Sequence, residues 1–160
     1  MISTRKIITA SMLATLTFVA TVIIKIPSPL NGYINLGDAL VLLTGYLLSP
    51  TYAFLSAGIG SALADLYAGY FVYLPITFII KGTMGLVFSL CSSSKGVLKN
   101  TLFAVICEII MIVGYYTFEG FLYGFIPSLV NVVPNVVQGL AGIVIGLILI
   151  KVFSKYKIVK

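Results

Sequence analysis

Apolar runs follow one another along this sequence with only short polar breaks, and several approach the roughly 18 to 20 residues that carry a helix across a bilayer. Lipid cannot hydrogen-bond to a backbone, so a chain of this kind must satisfy its N–H and C=O groups internally, and helices do that within each run. Spans are expected at about 7–26, 36–48, 52–68, 75–90, 98–118 and 131–153, with Pro27-Ser-Pro29, Ser49-Pro50, Gly69 and Ser92-Ser-Ser94 marking breaks. The expected fold is an all-α integral membrane protein, a compact bundle of about six transmembrane helices in a single domain over residues 1–160. The second span is the short one. At ~1.5 Å per residue, 36–48 covers only about 20 Å, so it tilts little, thins the bilayer locally or forms a re-entrant hairpin with the third.

Composition leaves little room for anything else, since 60% of the residues are apolar and 9% charged, against about 25% charged in soluble domains. A soluble catalytic or nucleotide-binding domain is therefore not expected, and any energy source belongs to a partner or a gradient. Residues 1–24 resemble a secretory signal in having Arg5 and Lys6 before an apolar run, but the run is long and no small-residue cleavage site clearly follows, so a retained first helix is expected. Cys91 and Cys107 lie in apolar surroundings without a CxxC spacing, and histidine is absent. No catalytic triad, metal site or cofactor is expected from such an inventory. Gly58-Ile-Gly60-Ser61 lacks the third glycine and the strand context of a dinucleotide-binding turn.

The net charge of +6 reports orientation. With six spans, Arg5, Lys6, Lys95, Lys99, Lys151, Lys155, Lys157 and Lys160 gather on one side and Lys25 alone flanks the other, which puts both termini in the cytoplasm. The outward connections, at 27–35, 69–74 and 119–130, share a composition rich in Tyr, Phe, Gly and Asn. Tyr33, Tyr67, Tyr70, Phe71, Tyr73, Phe121, Tyr123 and Phe125 crowd that side, either as an interfacial belt or as the walls of a pocket.

Polar groups accompany the rings at similar depth: Asn31, Asn35 and Asp38 around the start of the second span, Asp65 late in the third, Lys81 in the fourth, and Asn131, Asn135 and Gln138 opening the sixth. Rings to stack on, with amides and charges to fix substituents, make a site for a flat polar molecule. Together with Tyr33, Tyr70, Tyr73 and Tyr123, these are the expected substrate-binding residues. An ionised group inside a span costs about 2.5 to 3.5 kcal/mol, so Asp65 and Lys81 are expected to face the bundle, as an ion pair or in joint contact with a ligand. Glu108, midway along the fifth span, has three open roles: packing, ligand contact or proton carriage.

Ala10-Ser-Met-Leu-Ala14 puts two small residues one turn apart on the first span, a surface that lets another helix approach closely. Ala53, Ala57 and Ser61 with Ser56, Gly60 and Ala64 on the third span, and Gly142 with Gly146 on the sixth, are expected to pack the bundle internally.

Three segments, Gly32-Tyr-Ile-Asn-Leu-Gly-Asp38, Gly58-x-Gly-Ser-x-Leu-Ala-Asp65 and Pro75-x-Thr-Phe-Ile-Ile-Lys-Gly82, together resemble the S components of energy-coupling factor (ECF) transporters. The resemblance implies a non-enzymatic, multi-pass subunit of a prokaryotic plasma membrane that captures a water-soluble vitamin or precursor at the outer face. It implies partners as well: a transmembrane T component, docked through Ala10 and Ala14, and two cytoplasmic ATPase subunits, with the S component toppling in the bilayer to release its substrate. Trp and His, used by several vitamin binders of this kind, are absent, so their contacts do not transfer. Hydroxymethylpyrimidine or a pyridoxine-like compound is the favoured substrate, with riboflavin next. The alternatives are a stand-alone proton- or ion-coupled carrier, with Asp65, Lys81 and Glu108 as a relay, and a structural scaffold subunit.

Overall fold

The computed structural model describes residues 4–30, 32–92 and 96–154. Helix α1 (Thr4–Ile23) leads into a small antiparallel hairpin, β1 (Lys25–Ser28) and β2 (Gly32–Asn35), in which Lys25 faces Asn35 and Ser28 faces Gly32. Then come α2 (Gly37–Leu47), α3 (Pro50–Ala68), α4 (Leu74–Cys91), α5 (Val97–Tyr123), the single turn α6 (Phe125–Ser128), a 3-10 turn (Leu129–Asn131) and α7 (Val132–Phe153). The sequence punctuates these helices in the usual physical ways. Proline opens α3 and α4 within the first turn, where a missing N–H costs nothing. Gly69 closes α3 in the left-handed conformation at φ 84°, which a side chain would resist.

The molecule is an all-α membrane protein with its polarity turned inward. Thr17, Thr21, Asp38, Asp65, Lys81, Glu108, Glu119, Asn131 and Gln138 are buried, while Met12, Leu63, Leu90, Val113, Leu140 and Val144 face outward. Lipid accepts that exterior and would reject the interior. Four helical stretches, Thr4–Ile23, Leu74–Cys91, Val97–Tyr123 and Phe125–Phe153, are long and apolar enough to cross a membrane. The fifth long helix, α3, has 19 residues, many of them Ala, Gly and Ser that pack against α1 and α4. Gly60 is needed there, because a Cβ would lie 2.4 Å from the Ala14 carbonyl oxygen.

Helix α2 departs from the rest. It is only 11 residues long and packs against α1, α3, α4 and α7, with nine of its residues buried. Gly142 lies against Asp38 and Gly146 against Leu42, so the small residues of α7 pack the bundle internally as expected. At ~1.5 Å per residue α2 rises about 17 Å, well short of the roughly 30 Å hydrocarbon core, and β2 leads into it through Leu36.

The two ends of the bundle differ in charge. Arg5, Lys6, Lys99 and Lys151 sit where α1 and α5 begin and α7 ends, the end at which the Ser89 hydroxyl donates to the Leu48 carbonyl (2.6 Å). Lys25 stands at the other end, in the hairpin.

Candidate ligand-binding cavity

A cavity occupies the hairpin end, over the recessed start of α2, and each wall follows from a helical or strand period. Thr21 comes from α1, and Ser28, Gly32, Tyr33 and Asn35 from the hairpin. Ser61 and Asp65 stand one turn apart on α3. Tyr73, Thr77 and Lys81 form an i, i+4, i+8 stripe at the start of α4, with Tyr70 in the connection before it. Tyr115 and Glu119 share a face of α5, and Asn131, Asn135 and Gln138 complete the ring at the start of α7. The enclosed free volume is about 50 Å³.

The floor is a closed polar network. Lys81 Nζ donates to Asp38 Oδ1, and Gln138 Nε2 donates to Asp38 Oδ2 at 2.7 Å. Gln138 Oε1 in turn accepts from the Asn35 backbone N–H (2.9 Å) and from Asn35 Nδ2 (3.2 Å), while Asn35 Oδ1 accepts from the Gly37 N–H at 2.8 Å. One glutamine thus ties the hairpin to α2 and, through Asp38, to α4.

The walls are aromatic and acidic. Tyr33 and Tyr70 stack at 5.0 Å between centroids with a 35° tilt, and Tyr73 meets Tyr70, Tyr115 and Phe118 at 6.5, 6.5 and 5.5 Å. Lys25 Nζ lies 5.4 Å from the Tyr33 ring centroid and 5.0 Å from that of Tyr70, within cation–π range. The Tyr33 hydroxyl donates to Asp65 Oδ1 at 2.6 Å; burial and the adjacent carboxyl both push its pKa well above the ordinary phenol value, which keeps the donor proton in place. The Tyr73 hydroxyl reaches the Leu30 carbonyl (3.0 Å) and Glu119 Oε1 (3.2 Å), and Asn131 Nδ2 donates to that same oxygen at 2.9 Å. Leu30, at φ 52°, is the one non-glycine residue with positive φ among those described, and its carbonyl is the one that Tyr73 holds.

Of the twelve residues expected to bind substrate, nine line this cavity: Tyr33, Asn35, Asp65, Tyr70, Tyr73, Lys81, Asn131, Asn135 and Gln138. Asp38 lies just behind the lining, bonded to two of its members. Tyr123 is not among the lining residues and is 37% exposed, and Asn31 lies outside the described residues. Of the two arrangements expected for Asp65 and Lys81, the ion pair does not form, while both side chains do line the one cavity. Because α2 begins deep, Asp38 rather than Asp65 is level with Lys81 two turns down α4, and Asp65, in the last turn of α3, meets Tyr33 of the hairpin instead. Thr21, Ser28, Gly32, Ser61, Thr77, Tyr115 and Glu119 also line it and are not among the twelve. Glu119 was assigned to a loop, yet α5 continues to Tyr123, and its i, i+4 spacing from Tyr115 is the signal that would have found it.

Ala10 and Ala14 lie elsewhere, half-exposed on α1, in an apolar groove of about 800 Å³ that they share with Ile7, Phe18, Tyr52, Leu55 and Ile59. Their backbone also serves the bundle, since Ser56 Oγ donates to the Ala10 carbonyl at 2.7 Å and Gly60 packs on Ala14.

The family model described as "ECF-type riboflavin transporter, S component" matches residues 1–155. A protein of Pyrococcus woesei described as "Uncharacterized protein in gap 3'region" is 35% identical over 132 residues, covering 80% of this chain and 87% of the relative.

Proposed function

Since the chain belongs to the ECF-type riboflavin transporter S-component family, a family of membrane-embedded substrate-binding subunits, we propose that its hairpin-end cavity captures riboflavin or a closely related ring vitamin at the outer face of a prokaryotic plasma membrane. The observation that carries the reading is the cavity itself: four tyrosine rings with amide and carboxyl groups between them, enclosed at the end of the bundle away from the clustered lysines. Tyrosine faces suit a flat heterocycle, and the polar groups suit hydroxyl and amide substituents. The excess of cations at the opposite end supports placing both termini in the cytoplasm.

The groove beside Ala10 and Ala14 would receive the T component, to which two ATPase subunits supply the energy. Cavity and groove then divide the work. Purified in detergent, the chain should bind riboflavin, read as quenching of flavin fluorescence. Ala14→Trp should abolish uptake in cells that supply T component and ATPases while leaving that binding intact. Loss of both together would refute the division, and uptake in proteoliposomes lacking ATPase subunits would favour the stand-alone carrier.

A second reading of the substrate rests on size. In a cavity with about 50 Å³ free, a single ring, hydroxymethylpyrimidine or a pyridoxine-like compound, asks the tyrosines to part less than the three fused rings of a flavin do. Competition between these compounds and riboflavin for the purified protein separates the two readings.

A further inference from the structure

Three buried acceptor atoms in the cavity walls have no hydrogen-bond partner among the described residues: Asp65 Oδ2, Glu119 Oε2 and Asn131 Oδ1. Buried polar atoms in folded proteins are almost always paired, so three orphans around one cavity call for an explanation. Each belongs to a side chain whose other polar atom is held. Asp65 Oδ1 accepts from Tyr33, and Glu119 Oε1 accepts from Asn131 Nδ2 and Tyr73. The carboxylate fixes the Asn131 amide as well, because only its NH2 can face Glu119, which leaves the carbonyl oxygen unpartnered. The nearby Thr77 hydroxyl bonds Tyr115 at 3.0 Å, and where Tyr115 is the donor the Thr77 proton turns toward Asp65. Glu119 Oε2 and Asn131 Oδ1 are thus unpaired beside the cavity, and Asp65 Oδ2 has only the shared Thr77 proton within reach.

Charge points the same way. Lys81 and Asp38 neutralise each other, and the remaining cation at this end, Lys25, lies over the rings of Tyr33 and Tyr70. Asp65 and Glu119 have no ion-pair partner among the described residues.

We propose that Asp65, Glu119 and Asn131 form an acceptor wall that selects the ligand by its hydrogen-bond donors and rejects its phosphorylated form. The proposal rests on the vitamin-capture reading and adds the chemical class: an uncharged or cationic ring compound with several O–H or N–H donors on one side, such as a polyol chain or an exocyclic amine. A phosphate ester brings a charge of about −1.5 to −2 and mainly acceptors, so it meets repulsion and unpaired oxygens where the parent compound makes hydrogen bonds.

The test compares vitamins with their own phosphate esters on the purified full chain: riboflavin with riboflavin 5′-phosphate, hydroxymethylpyrimidine with its phosphate, and pyridoxine with pyridoxine phosphate. The wild-type protein should bind the unphosphorylated member of whichever pair it recognises about 10- to 100-fold more tightly. Glu119→Gln and Asp65→Asn, which keep shape and remove charge, should each weaken that member about tenfold and narrow the ratio between the two. Equal wild-type affinity for both members of a bound pair, or an unchanged ratio in both variants, overturns the acceptor wall while vitamin capture stands. The wild-type ratio decides even if a variant fails to fold. Binding of no member of any pair removes the vitamin reading and the acceptor wall with it.

Discussion

Two acidic clusters lie within a few turns of each other in this bundle and are finished differently. In the lower one, Asp38 has both oxygens occupied, by Lys81 and by Gln138, and Gln138 is itself saturated by Asn35. In the upper one, Asp65 and Glu119 each have one oxygen held by protein and one left unpaired. A satisfied buried network braces the elements that contribute to it, here β2, α2, α4 and α7. An unsatisfied one is costly to keep unless something else completes it. The same residue types therefore serve architecture below and recognition above.

The largest effect should come from removing the cation of the lower cluster. Lys81→Met leaves the Asp38 carboxylate buried with Gln138 as its remaining side-chain donor, and breaking a buried pair in this way costs about 3 kcal/mol or more. Unfolding of the purified protein in detergent should show that loss, and a second substitution, Asp38→Asn, should recover much of it by removing the stranded charge. If Lys81→Met unfolds like the wild type and only ligand affinity falls, the lower cluster belongs to recognition and the contrast disappears.

Gln138→Leu probes the same cluster more gently. It strands Asp38 Oδ2 and the Asn35 backbone N–H without removing the ion pair, for a cost of about 2 kcal/mol. It also unties the hairpin from α7. Hydrogen exchange should therefore quicken in 32–35 ahead of the helices, and uniform protection across hairpin and bundle would show that the hairpin is held by other contacts.

The contrast was half legible in the sequence. Position along the spans pointed to Lys81 in the fourth and to Asn131, Asn135 and Gln138 opening the sixth, and the aromatic composition of the outward connections pointed to Tyr33, Tyr70 and Tyr73. Depth was not legible. Nothing in the residues around Pro27 and Asn35 announces a β-hairpin ahead of a short α2, and without that the level of Asp38, and hence its pairing with Lys81, could not be set. Nor did composition separate the aromatic residues that turn inward from those that do not. Tyr33, Tyr70 and Tyr73 line the cavity, whereas Tyr67, Phe71 and Phe121 are 72%, 65% and 79% exposed and fit an interfacial belt. A hydropathy boundary placed five residues early hid Glu119 in a loop.

Glu108 belongs to neither cluster, and the smallest effect is expected there. It lies on α5 against Gly139 and Gly142, close enough that a Cβ on either glycine would touch its carboxyl, and neither oxygen has a hydrogen-bond partner among the described residues. No described donor bonds the carboxyl, and Asp38 and Lys81 act on it with opposing signs, so Glu108→Gln, which preserves the shape, should change unfolding by no more than about 1 kcal/mol and leave ligand affinity unaltered. A stability loss on the scale of Lys81→Met would mean that Glu108 shares the Lys81 charge with Asp38 and that the lower cluster extends to α5. Unchanged stability with failed uptake would instead assign the carboxyl to a step of transport in which α5 and α7 move apart.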